Sequence, residues 1–142
     1  MLDTPRTDSA LERLLEMGRL AQEHDTDGVT ELLLFDQPAE HRDEQVVRNW
    51  CRDQADTIVR TDVSRALRSI PHVTALHDRQ SLTRVTAQVL VITQQDDPAH
   101  PLWVGREIAE LVPNARLEVL PPGGILWSHR ARVRELVREF LS

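Results

Sequence analysis

The stretch Gln88-Val89-Leu90-Val91-Ile92-Thr93-Gln94-Gln95-Asp96-Asp97-Pro98 decides how the chain is read. Val89 to Ile92 is an aliphatic run without polar alternation, the pattern of a strand covered on both faces, as in a parallel sheet. The acidic, proline-ended run after it reads as a loop. Pro101 then stands near the start of a helix, where a missing N–H costs nothing. Val104, Ile108, Leu111 and Val112 form the inward stripe of that helix, and Pro113-Asn114 ends it. Leu117 to Leu120 reads as a second strand and Pro121-Pro122-Gly123-Gly124 as a loop. Ser128 is positioned to cap a last helix, whose apolar residues Val133, Leu136, Val137 and Phe140 recur at helical spacing. Strand, helix, strand and helix within about 55 residues imply a right-handed crossover and two parallel strands.

Working back from that stretch, residues 1–81 read as a helical region. Ser9 can cap a helix with apolar positions Leu11, Leu14, Leu15 and Gly18. Asp25-Thr26-Asp27-Gly28 has the composition of a turn. Val29 to Phe35 fits a short helix or a strand equally well, and Pro38 ends it. From Arg42 to Val59 the residues Val46, Val47, Trp50 and Ile58 predict a longer helix with one buried stripe. Thr61 can cap a further helix through Val63, Ala66, Leu67 and Ile70, stopped by Pro71. His72 to Gln80 is a polar connector, and Leu82-Thr83-Arg84-Val85 leads into the strand from Ala87 to Thr93.

Composition narrows the function classes. A chain of 142 residues with 40% hydrophobic content can bury one modest core. The net charge of -6 argues against a nucleic-acid surface, which needs a basic excess on one face. All 17 basic residues are arginine, a usage that fits a GC-rich bacterial genome. Arg130, Arg132, Arg134 and Arg138 cluster near the C-terminus, but Glu135 and Glu139 interleave with them, as on a solvated helix face. Cys51 is the single cysteine, so no intrachain disulfide can form and a reducing cytoplasm is the expected compartment. Its apolar helical setting reads as that of a buried structural thiol. No apolar run has the length of a membrane span, and the N-terminus lacks a signal peptide's features.

From Leu82 onward the residues resemble the last quarter of an α/β-hydrolase. Leu82, Val85, the strand Val89 to Ile92 and Asp97 match that family's pattern before its penultimate helix. Pro113-Asn114-Ala115, Gly123-Gly124 and the closing helix match its continuation through the last strand to the final helix. Three positions depart from it: Gln88 replaces a proline, Gln94 a glycine and Ile125 the catalytic histidine. The resemblance implies a partial α/β-hydrolase, with residues 1–81 as a helical, cap-like region and residues 82–142 as a βαβα unit with two parallel strands.

The same resemblance places Asp97 at the position of the triad acid, where a carboxylate would orient an imidazole. The alternative reading makes Asp96 and Asp97 shape a turn. His129, four residues past Ile125, is the candidate displaced histidine, or else an exposed residue in the first turn of the last helix. No Gly-x-Ser-x-Gly turn occurs, so no nucleophile is identified. Asp96, Asp97 and His100 lie close in sequence without the spacing of a metal site, and no phosphate-binding glycine loop is present, so neither metal nor cofactor is expected.

Whole-length hydrolases of this kind cleave esters or amides of small molecules through an acyl-enzyme. A chain without the nucleophile is expected to be a truncated or degenerate hydrolase, inactive alone. Two other readings stay open. One is a non-catalytic module in which the helical region, with Trp50, Trp103 and Trp127 in the chain, binds an apolar small molecule or a partner subunit. The other is half of a split hydrolase. A two-stranded parallel sheet exposes unpaired backbone groups, so self-association or a complementing chain is expected at the strand edge.

Overall fold

A computed structural model describes residues 2–3, 9–61, 63–74 and 76–142 of the chain. Two compact units are present, Thr4–Thr74 and Met1–Asp3 with Ala75–Ser142. The first is helical and the second contains a two-stranded parallel sheet with helices.

The helical unit is built from α1 (Ser9–Gln22), α2 (Thr26–Phe35), α3 (Gln45–Arg60) and the short α4 (Ser64–Ser69). Its core is Met17, Leu20, Ala21, Val29 and Ala55, with Leu32, Leu33, Ile58, Val59 and Leu67 packed around it. α1 passes close to α4 because Gly18 has no side chain. A Cβ there would stand 2.8 Å from Cγ of Arg68, 3.1 Å from the Ser64 carbonyl oxygen and 3.2 Å from Cβ of Leu67. α1 ends in a paired hydrogen-bond motif: His24 N–H donates to the Ala21 carbonyl at 3.2 Å and Asp25 N–H to the Leu20 carbonyl at 2.9 Å. That motif puts His24 in the left-handed region, φ 59°, where glycine is usual.

Several local expectations change at this level. Ser9 is the first helical residue of α1, and its hydroxyl accepts from Arg13 at 3.2 Å instead of capping a backbone N–H. Asp25-Thr26-Asp27-Gly28 is the start of α2 and not a free turn. The Asp25 carboxylate accepts from Gly28 N–H at 2.9 Å, which satisfies one of the helix's orphan donors. In α3 the fully buried line is Val47, Cys51 and Ala55, at i, i+4 and i+8. Val46 lies one helical step off that line and is 60% exposed. Thr61 closes α3, with its hydroxyl donating to the Thr57 carbonyl at 2.7 Å, and α4 starts after Val63.

In the second unit β1 (Val89–Gln94) pairs in parallel with β2 (Ala115–Leu120), from Val89 opposite Ala115 to Gln94 opposite Leu120. α5 (Leu102–Leu111) lies against the Thr93 face of the sheet. A Cβ on Gly105 would meet Cβ and Cγ2 of Thr93 at 3.1 Å, so glycine permits this approach. α6 (Arg130–Leu141) covers the opposite face, and its Leu136 is fully buried. The alternation of strand side chains gives the two faces. Thr93 is level with Val119, whereas Arg116 and Glu118 point the other way, where Arg116 lies 3.6 Å from Glu139 of α6. A short helix at Arg79–Arg84 is tied to α5 by the Arg79–Glu107 ion pair at 2.6 Å.

Among the described residues the sheet has only these two strands. Val89 to Ile92 is accordingly half-buried, not covered on both faces as its sequence predicts, and only Thr93 and Gln94 of β1 are buried. No helix among the described residues is long and apolar enough to cross a membrane.

Cys51 is fully buried, and burial pushes its thiol pKa up to about 11. The thiolate is the form that an apolar site penalises, so the folded chain holds this proton when the unfolded chain has lost it. Its contribution is complete below about pH 8.5 and is lost as pH rises through the folded value. Urea unfolding in the alkaline range should therefore show stability falling by roughly 2 to 3 kcal/mol more in the native sequence than in Cys51→Ala.

Candidate functional site

Both strands end at the same level, which brings the 95–101 and 121–129 loops to the carboxyl edge of the sheet. Gln95 N–H donates to the Leu120 carbonyl at 2.9 Å and extends the ladder by one rung. Asp96 then takes a left-handed conformation, φ 58°, which turns the chain sharply before Asp97.

Asp97 is held on several sides. One carboxylate oxygen accepts from the backbone N–H of Ala99 and of His100, each at 2.8 Å. The other lies 3.4 Å from Nδ1 of His100. The Asp97 side chain is only 16% exposed, whereas that of His100 is 83% exposed. Burial by itself would raise the carboxyl pKa, but the His100 ring and the two backbone donors outweigh it and hold Asp97 below the ordinary carboxylate range. Asp97 is thus a fixed, ionised carboxylate.

The second loop is shaped by two buried glycines with positive φ, Gly123 at 124° and Gly124 at 84°. They feed a wide helical turn at Gly124–Ser128, in which Ser128 N–H donates to the Gly123 carbonyl and His129 N–H to the Gly124 carbonyl, both at 3.2 Å. A Cβ on Gly123 would lie 2.9 Å from Cβ and Oγ of Ser128 and 3.4 Å from Nε2 of His129. Ile125 is half-buried in this turn. Ser128 belongs to the turn and does not cap α6, because His129 is the residue that precedes that helix. Nε2 of His129 donates to the Pro122 carbonyl at 2.9 Å.

Asp97 and His129 therefore sit on the two loops at one end of the sheet, and each has a different partner. Asp97 holds His100, and His129 holds Pro122. The hydrolase pattern assigns no role to His100. The i, i+3 spacing of Asp97 and His100, in a loop that must curl towards Pro101, was the available signal for that pair. Among the described residues, no three His, Cys, Asp or Glu side chains converge as a metal site. The described residues offer an ionised carboxylate and an exposed imidazole at this edge of the sheet.

No protein-family model matches the chain, and no curated protein sequence matches it significantly. Among solved structures, it is similar to a provisionally assigned non-heme bromoperoxidase, BpoC, of Mycobacterium tuberculosis H37Rv, with a TM-score of 0.63 and 18% identity. The match covers 96% of this chain and 54% of that one, so the chain spans about half the length of its structural neighbour. At this identity the likeness shows the fold, that of an α/β-hydrolase-fold protein.

Two measurements check this site. In a carbon-detected NMR titration Asp97 should titrate below ordinary aspartates, and His100→Ala should move its midpoint upward because a stabilising donor is gone. Gly123→Ala should lower unfolding free energy by about 1 to 3 kcal/mol, since alanine is strained at that φ and meets Ser128.

Proposed function

We propose that the chain is the C-terminal part of an α/β-hydrolase, with residues 1–81 as the cap-like region and residues 82–142 as the end of the hydrolase sheet. It does not hydrolyse by itself. The observation that carries this reading is the half-covered apolar strand. Val89 to Ile92 has the composition of an interior strand, yet one of its two edges has no partner among the described residues. A parallel strand of this kind is stable when a further strand and its crossover cover it.

Chemistry agrees with that reading. Triad hydrolysis needs a nucleophile, a base that takes its proton and an acid that orients the base. This chain offers Asp97 as the acid, already ionised and fixed, and has Ile125 where the base would stand. His129 gives its Nε2 proton to the Pro122 carbonyl, which leaves Nδ1 as its basic nitrogen. The bromoperoxidase activity in the neighbour's name is not carried over, because the chain has no Gly-x-Ser-x-Gly turn and spans little more than half of that protein. The missing strands and nucleophile would come from a complementing polypeptide, and the whole assembly would act on an ester or amide of a small molecule.

A fluorophosphonate that acylates activated serines should leave the purified chain unlabelled, and stoichiometric labelling would overturn the proposal. Size-exclusion chromatography with light scattering addresses the strand edge. Self-association or aggregation is expected, whereas a monomer that melts cooperatively would count against an unmet edge.

A further inference from the structure

We propose that the cavity between the end of α1 and α4 in the helical unit binds the phosphate group of a small phosphorylated molecule. The cavity has a volume of about 370 Å³ and is lined by His24, Ser64, Arg65 and Arg68, with Ala21 and Gln22. That volume exceeds what a bare anion needs and lies at the lower end of small-molecule sites.

Charge is the first argument. The chain has 23 acids against 17 arginines; some of its arginines meet a carboxylate, such as Arg13 with Asp36, Arg19 with Glu16 and Glu23, Arg52 with Asp27 and Arg79 with Glu107, and others do not. Among the described residues Arg65 and Arg68 make no ion pair, although they stand three residues apart on one helical face and both line the cavity. Two guanidinium groups supply fork-shaped donors and two positive charges, the recognition set of a phosphate dianion. Gly18 leaves room for the stem of Arg68, because Cγ of Arg68 occupies the space that a Cβ at position 18 would need.

The polar wall is the second argument. Ser64 lines the cavity while only 4% exposed, so a hydroxyl-bearing residue is built into the floor and not left on a solvated rim. His24, on the same cavity, occupies a left-handed backbone position that glycine would take without strain. A histidine there destabilises the turn and in return places an imidazole on the cavity. Stability and ligand binding thus pull that one position in opposite directions, which makes the proposal separable from a structural role.

The test is a calorimetric titration of the full chain with inorganic phosphate and, separately, with phenyl phosphate, at fixed ionic strength. Saturable binding is expected. Arg65→Ala and Arg68→Ala should each weaken it about tenfold, the loss of one charge-assisted contact. Arg106→Ala, which removes the same charge from α5, should leave it unchanged. His24→Gly should raise the melting temperature and weaken binding together. Tighter binding of phenyl phosphate would identify an organic phosphate ester as the ligand, and equal binding would identify the free anion. No saturable binding of either probe overturns the proposal, as does an equal loss in Arg106→Ala or unchanged affinity in both cavity arginine variants.

Discussion

The parallel pairing of β1 with β2 is the constraint on which the second unit depends. Its register, with Val89 opposite Ala115 and Gln94 opposite Leu120, makes both strands end together. Two loops consequently meet at one edge, and a helix must cross each face to return the chain. α5 can lie close because Gly105 leaves room for Thr93, and α6 because Leu136 fills the opposite side. The sheet then confers direction but little closure. Its edges remain open among the described residues, so burial reaches only the ends of the strands, at Thr93 and Gln94 of β1 and Leu120 of β2.

The helical unit is arranged on a different principle. Its core closes on itself through Met17, Leu20, Ala21, Val29 and Ala55, and the side chains that set its spacing are small. Gly18 lets α1 approach α4, and Ala55 and Cys51 give α3 a narrow buried line. Helices assembled this way need no hydrogen bonds from a neighbour, since each satisfies its own backbone. The two units therefore differ in kind: one leaves backbone groups open only at its helix ends, and the other also has donors and acceptors along a sheet edge.

Much of this was legible in the sequence where pattern and punctuation agreed. Val89 to Ile92 marked β1, Pro101 and Pro113-Asn114 bracketed α5, and the repeat through Val133, Leu136 and Phe140 marked α6. Burial was less legible, because it depends on what covers an element. The same aliphatic run that reads as interior is half-exposed here. Caps were misplaced where a polar residue had two uses: Asp25 opens α2 although its neighbours look like a turn, and Thr61 ends a helix instead of starting one. At the candidate site, the family pattern located Asp97 and the vacancy at Ile125, but not that Asp97 would be held by His100. That contact follows the left-handed turn at Asp96, a conformation aspartate tolerates and the turn reading of Asp96 and Asp97 anticipated, although the His100 partner was not. The cavity beside His24 was invisible for a similar reason, since its residues come from helices far apart in the chain.

One contact in the helical unit bears on how the molecule behaves at high concentration. Phe35 is 54% exposed, a large apolar ring at the surface. The guanidinium groups of Arg13 and Arg42 lie over it, 5.3 and 5.2 Å from its centre, and Arg42 also donates to the Phe35 carbonyl at 2.7 Å. Two cations over the ring offset part of the cost of leaving it at the surface, so less of a bare aromatic face meets an approaching copy of the chain. The arginines thus serve as colloidal protection, keeping a sticky side chain quiet without burying it.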